Sequence, residues 1–114
     1  MADTLKTVRI EHTAAVGTAV LNGASSKTYT ILSVSICNTH ASDEEIFSMF
    51  CTTSGKGTPI YIYKSQSLPA KSTFIHNDKI VLLASEELWV EYATDVDDTD
   101  GVHVIVSYLD QDDA

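Results

Sequence analysis

Apolar side chains recur at every second position along most of this chain, and no stretch carries them at the 3.6-residue spacing of an amphipathic helix. In Thr28–Asn38, Leu32, Val34 and Ile36 fall on one side and Ser33, Ser35 and Cys37 on the other. Successive residues of a strand point to opposite faces, so this segment reads as a strand with one dry face. Glu87–Ala93 repeats the pattern, with Leu88, Val90 and Tyr92 opposed to Glu87, Trp89 and Glu91. Further strands are expected over Leu5–Glu11, Ile46–Thr52, Ile60–Ser67, Ser72–His76, Lys79–Leu83 and Val102–Leu109. Thr13–Gly23 is small and mixed and fits a strand or a loop. Turn residues separate the strands at Ser54–Pro59, Leu68–Lys71, Asn77-Asp78 and Asp97–Gly101. About eight short strands without a helix predict an all-β chain, a single antiparallel β-sandwich of jelly-roll or Ig-like topology.

At 114 residues the chain has room for one such domain, spanning 1–114. Within it, 1–12 is expected to be an extended N-terminal arm, with Leu5–Ile10 as an interface arm, and 110–114 to be a solvated acidic end. Seven Lys and Arg stand against 16 Asp and Glu, a net charge of −9, which repels phosphate backbones and anionic headgroups. Neither nucleic acid nor a membrane is therefore expected as a partner. The start, Met1 to Lys6, lacks the charged and apolar regions of a signal peptide, which predicts a cytosolic protein or one released by lysis. The strands ending at Asn38 and starting at Ile46 are placed to form a hairpin across the polar loop 39–45. That register sets Cys37 and Cys51 several residues apart, so both are expected to be free thiols.

No catalytic arrangement stands out. A G-x-S-x-G elbow is absent, and His12, His40, His76 and His103 sit singly without zinc spacing. Gly55-Lys56-Gly57-Thr58 is a turn rather than a phosphate loop, because Phe50 stands where that loop needs its first glycine. The chain is expected not to be an enzyme and to need no cofactor. Closely spaced carboxylates are what calcium requires, which makes Asp95, Asp97, Asp98 and Asp100 the one metal candidate. EF-hand register fails there, since Asp100 occupies the glycine position and Val106 that of the bidentate glutamate, so a solvated turn is the preferred reading. Trp89 shares a strand side with two glutamates and either anchors an interface or is buried in the sandwich. Tyr61 and Tyr63 present the same choice.

Four segments in order, Ile31–Thr39 with Cys37-Asn38 at its end, Leu68-Pro69-Ala70-Lys71-Ser72-Thr73, Ile80–Val90, and Val104-Ile105-Val106-Ser107-Tyr108-Leu109, carry a resemblance. They are similar to small virion proteins of tailed bacteriophages, including marine and cyanobacterial phages, over roughly Thr28 to Asp110. The pattern there is a strand ending in CN, an IPA-x-S/T turn, an L-x-x-G-D-x-L-x-V hairpin and a V-V-S-Y-L strand. Ser85-Glu86 replaces the usual Gly-Asp, so a different turn shape is expected. The resemblance implies a virion structural protein made in the host cytoplasm, a capsid decoration (cement) protein on the outside of the major capsid lattice. Its implied partners are the major capsid protein and copies of itself, with a trimer as the expected oligomer. A tail, neck or baseplate component is the alternative in the same class. A carbohydrate-binding sandwich with Trp89, Tyr61 and Tyr63 as its platform is the alternative in another. Leu5, Val8 and Ile10 on the N-terminal strand, with Tyr61, Tyr63 and Trp89, are the interface candidates.

Overall fold

The computed structural model describes residues 3–12, 18–53, 56–93 and 101–112. Its strands are β1 (Asp3–His12), β2 (Thr18–Asn22), β3 (Lys27–Asn38), β4 (Glu45–Thr53), β5 (Ile60–Leu68), β6 (Thr73–His76), β7 (Ile80–Leu82), β8 (Glu86–Tyr92) and β9 (Val102–Asp112). They form two antiparallel sheets, one ordered β1-β9-β3-β6 with β7 also against β3, the other β2-β8-β4-β5. β6 and β7 lie end to end along β3, opposite Val34–Cys37 and Tyr29–Ile31, so together they fill one strand position. Counted that way there are eight positions, and the chain crosses between sheets at nearly every connection. This order is a jelly roll, two Greek keys wrapped into a sandwich, and resolves the choice against an Ig-like topology.

The core lies between the sheets and is drawn from alternate positions of the central strands. Ile31, Val34 and Ile36 of β3 and Val102, Val104 and Val106 of β9 face Phe47 and Met49 of β4 and Leu88 and Val90 of β8. The expected dry side of Glu87–Ala93 is the one that is buried.

Three local expectations are corrected. First, β3 and β4 do not form a hairpin: β3 pairs with β9, β6 and β7, and β4 with β5 and β8. Loop 39–44 carries the chain from one sheet to the other, because each apolar face is buried only by the opposite layer. Cys37 and Cys51 thus sit in different sheets and are free. Secondly, Leu32 is not on the dry side. The β3–β9 register shifts between Ile31 and Ser33, so Leu32 is the extra residue of a β-bulge and Ile31 takes the core position before it. Thirdly, Asp110 to Asp112 are not a solvated end. They complete β9, and Asp110 is buried, holding Lys6 at 2.7 Å and Lys27 at 3.3 Å.

Ser85 has φ 69°, the left-handed conformation that a glycine adopts freely. The turn from Leu83 to Glu86 thus holds Ser85 in a conformation that costs a non-glycine residue roughly 1–2 kcal/mol. Glu86 offsets it by donating its N–H to the Leu83 carbonyl and accepting from the Leu83 N–H through Oε1 at 2.7 Å. Gly23 packs against this turn so closely that a Cβ would lie 2.2 Å from the Leu83 oxygen.

Candidate interaction site

A sandwich offers a partner its two outer faces, its edges and its two loop ends. On the outer face of the five-stranded sheet, the register sets Leu5 beside Leu109, Leu109 beside Thr30 and Thr30 beside Val81. A second row runs Arg9, Ile105, Ser35, Ile75, with Thr7, Ser107 and Ser33 between the two. Leu5, Ile75, Val81 and Ile105 are among the large apolar side chains exposed to solvent, Leu5 at 69%. Among the described strand residues of this face, charge lies on β1 and its neighbour: Asp3, Arg9, and Glu11 paired with His103 at 3.1 Å. A cleft of about 280 Å3 opens there between β1 and β9, lined by Arg9, Ile10, Glu11, His103, Val104 and Ile105.

The other outer face is aromatic and charged. Phe50 and Trp89 are paired across β4 and β8 with rings stacked at 6.1 Å, and Tyr61 packs on Phe50 at 5.3 Å. Lys56 lies over both Phe50 and Trp89 and pairs with Glu91, while the Trp89 Nε1–H donates to Glu87 at 2.9 Å. Trp89 therefore points outward, half-buried under a cation. Tyr61 is 41% exposed beside it. Tyr63 does not share that face. The β4–β5 register shifts between Met49 and Phe50, leaving Ile62 as an extra residue, and the shift turns Tyr63 into the core. There its ring meets Phe74 at 4.7 Å and its hydroxyl bonds His76 Nδ1 at 2.8 Å. The three aromatic residues are thus not one platform.

Of the N-terminal candidates, Leu5 is on the outer face, while Val8 and Ile10 point inward and pack on the core margin. Asp95, Asp97, Asp98 and Asp100 lie outside the described residues. Among the described residues no group of three or more His, Cys, Asp or Glu is arranged to hold a metal ion.

The singly spaced histidines are mostly internal. His12, His40 and His76 are buried, and His40 lies 3.1 Å from the buried Glu45. Beside them Asn38 is wholly enclosed, its amide donating to the carbonyls of Asp43 and Leu68 and its Oδ1 accepting from the His40 N–H. His12 bridges the Tyr92 hydroxyl at 2.5 Å and Thr18 Oγ1 at 2.8 Å. Burial lowers the His12 pKa below its ordinary 6.5 and raises that of the Tyr92 phenol. At the other end of the sandwich the hydrogen bond from Lys6 holds the Asp110 carboxyl below the usual carboxylate range, and hydrogen bonds to Asp110 and Asp112 raise Lys6 and Lys27.

The sign for His12 follows from linkage. The unfolded chain takes up a proton near pH 6.5 and the folded chain only at lower pH, so stability from neutral His12 is full above that value and is lost as pH falls through the lowered one. The urea midpoint is therefore expected to fall between neutrality and about pH 5, and His12→Gln to flatten this slope relative to the wild type. An unchanged slope in the variant would remove His12 as the cause.

No protein-family model and no curated protein matches the sequence. Among solved structures, the fold is similar to a chain described under "Crystal structure of the T13 IBDV viral particle reveals a missing link in icosahedral viruses evolution". The likeness has a TM-score of 0.50 at 8% identity and covers 98% of this chain but 36% of that one. It is a likeness of fold, and this chain spans little more than a third of that protein's length.

Proposed function

We propose that this chain is a structural protein of a viral particle, and within that class a capsid decoration, or cement, protein of a tailed bacteriophage. The observation that carries the reading is that the jelly roll aligns over 98% of its length with a chain of a viral particle. The motifs from Thr28 to Asp110 support the same setting. In this role the chain has no catalytic function. It is made in the host cytoplasm, joins copies of itself, and binds the major capsid protein from outside the lattice. The weakly charged outer face of the five-stranded sheet suits such binding. Leu5, Ile75, Val81 and Ile105 bury apolar area there, with Asp3 and Glu11 at its β1 margin. Each contact bridging two lattice subunits then has to be broken before the shell yields.

Copy number per purified particle tests this, by quantitative mass spectrometry against the major capsid protein. A ratio near one per capsid subunit is expected. A few copies per particle would move the chain to the tail, neck or baseplate, and absence from the particle would overturn the reading.

A further inference from the structure

Sheet edges separate one strand of this protein from the others. A free edge is a row of unpaired N–H and C=O groups, and natural sandwiches interrupt such rows so that they do not pair with foreign strands. Three of the four edges formed by the described residues are interrupted. β2 is five residues long with a register shift between Ala19 and Leu21. β5 carries two register shifts and a left-handed Ser65 at φ 54°. The β6–β7 edge is broken between His76 and Ile80. β1 is different. It pairs with β9 without a shift over all 10 residues, from Asp3↔Gln111 to His12↔Val102, and among the described residues nothing pairs with its other side. That leaves an unbroken edge roughly 34 Å long, carrying the 69%-exposed Leu5.

We propose that this edge pairs with β1 of a second copy, antiparallel about a two-fold axis, so that the two five-stranded sheets become one. Facing residues must share a face, which restricts the register. Centred on Thr7, the pairing sets Asp3 against Glu11 twice, like charge against like. Centred on Val8, it sets Leu5 against Glu11 and Thr7 against Arg9. Centred on Lys6, it sets Asp3 against Arg9 twice and Leu5 against Thr7, the only one of the three that matches opposite charges. The two Lys6 side chains that meet at the axis are each already held by their own Asp110 at 2.7 Å, so ion pairs rather than bare ammonium groups approach one another. Apart from the Lys6 pair on the axis, every contact is made twice, as a two-fold interface requires.

The inference rests on the homo-oligomer of the proposed function and makes it a dimer where the resemblance implied a trimer. Sedimentation velocity on the full chain over a dilution series tests it apart from any particle, so copy number can fail while the dimer stands, and the reverse. The wild type is expected to sediment at twice the 12.4 kDa of one chain. Arg9→Asp sets like charges opposite each other at both ends and is expected to weaken association about tenfold. Asp3→Arg combined with Arg9→Asp restores it. Both side chains are exposed, so neither change disturbs the core. A monomeric or trimeric wild type, or an Arg9→Asp variant that associates as tightly as the wild type, would overturn the proposal.

Discussion

Asn38→Ala is expected to cost about 3 kcal/mol, because a buried polar group left without its partner costs about 1–3 kcal/mol and this side chain serves three of them. The Asp43 and Leu68 carbonyls lose their donor and the His40 N–H loses its acceptor, all where Asn38 itself is 0% exposed. A fall of roughly 10 °C in Tm corresponds to that cost for a domain of this size. Asn38→Asp should be worse than alanine at neutral pH. It keeps the acceptor for His40 but turns a carboxylate oxygen toward two carbonyl oxygens at a residue closed off from solvent. Lowering the pH should narrow the gap between these two variants, since a protonated carboxyl regains one donor. Thermal melts at two pH values read both effects. A cost below about 1 kcal/mol for alanine would mean that the three loop groups find other partners.

Phe47→Ala should cost about 3–5 kcal/mol, a large share of the roughly 5–15 kcal/mol that stabilises a domain. Phe47 is wholly buried on β4, and its ring meets Phe74 of β6 at 5.2 Å and Tyr63 of β5 at 6.5 Å. It is therefore one of the contacts that join the two sheets, and the surrounding strands are too constrained by their ladders to collapse into the space it leaves. Phe47→Leu, which fills most of that space, should cost markedly less. Urea titration of the two variants checks the order. Equal midpoints for both would show that the site relaxes around the cavity.

Asn38 ties the β3–β4 loop to the end of β5, and the β3–β4 loop also carries the buried His40 beside Glu45. One end of the sandwich is thus closed by internal polar contacts. Charge is divided between the outer faces. Glu87, Glu91 and Lys56 crowd the outer face of the four-stranded sheet, and the opposite face is largely hydroxyl and aliphatic.

What the sequence determined by itself is local. Period two in Thr28–Asn38, Glu87–Ala93 and Val102–Leu109 is enough to require strands, and the absence of any 3.6-residue period is enough to exclude helices, because each periodicity follows from the backbone geometry of one residue and its neighbours. The buried side of β8 was legible for the same reason. Strand partners were not. β1 pairs with β9 from the far end of the chain, and such a choice depends on which apolar faces can cover each other across two layers, a property of the whole set of strands. The bulges at Leu32 and Ile62 were equally hidden. A single extra residue inverts every later side chain, and it is by that inversion that Ile31 rather than Leu32 entered the core and Tyr63 parted from Tyr61. The interface candidates divide along the same line. Alternation could place Leu5 and Trp89 on a side of their strands, but only the packed sandwich decided that those sides face outward, that Trp89 is half-covered by Lys56, and that Ile75, Val81 and Ile105 join Leu5 on one face. Burial likewise turned His12, scattered in the sequence, into the centre of a polar bridge, because Tyr92 and Thr18 reach it only after β2 and β8 have paired.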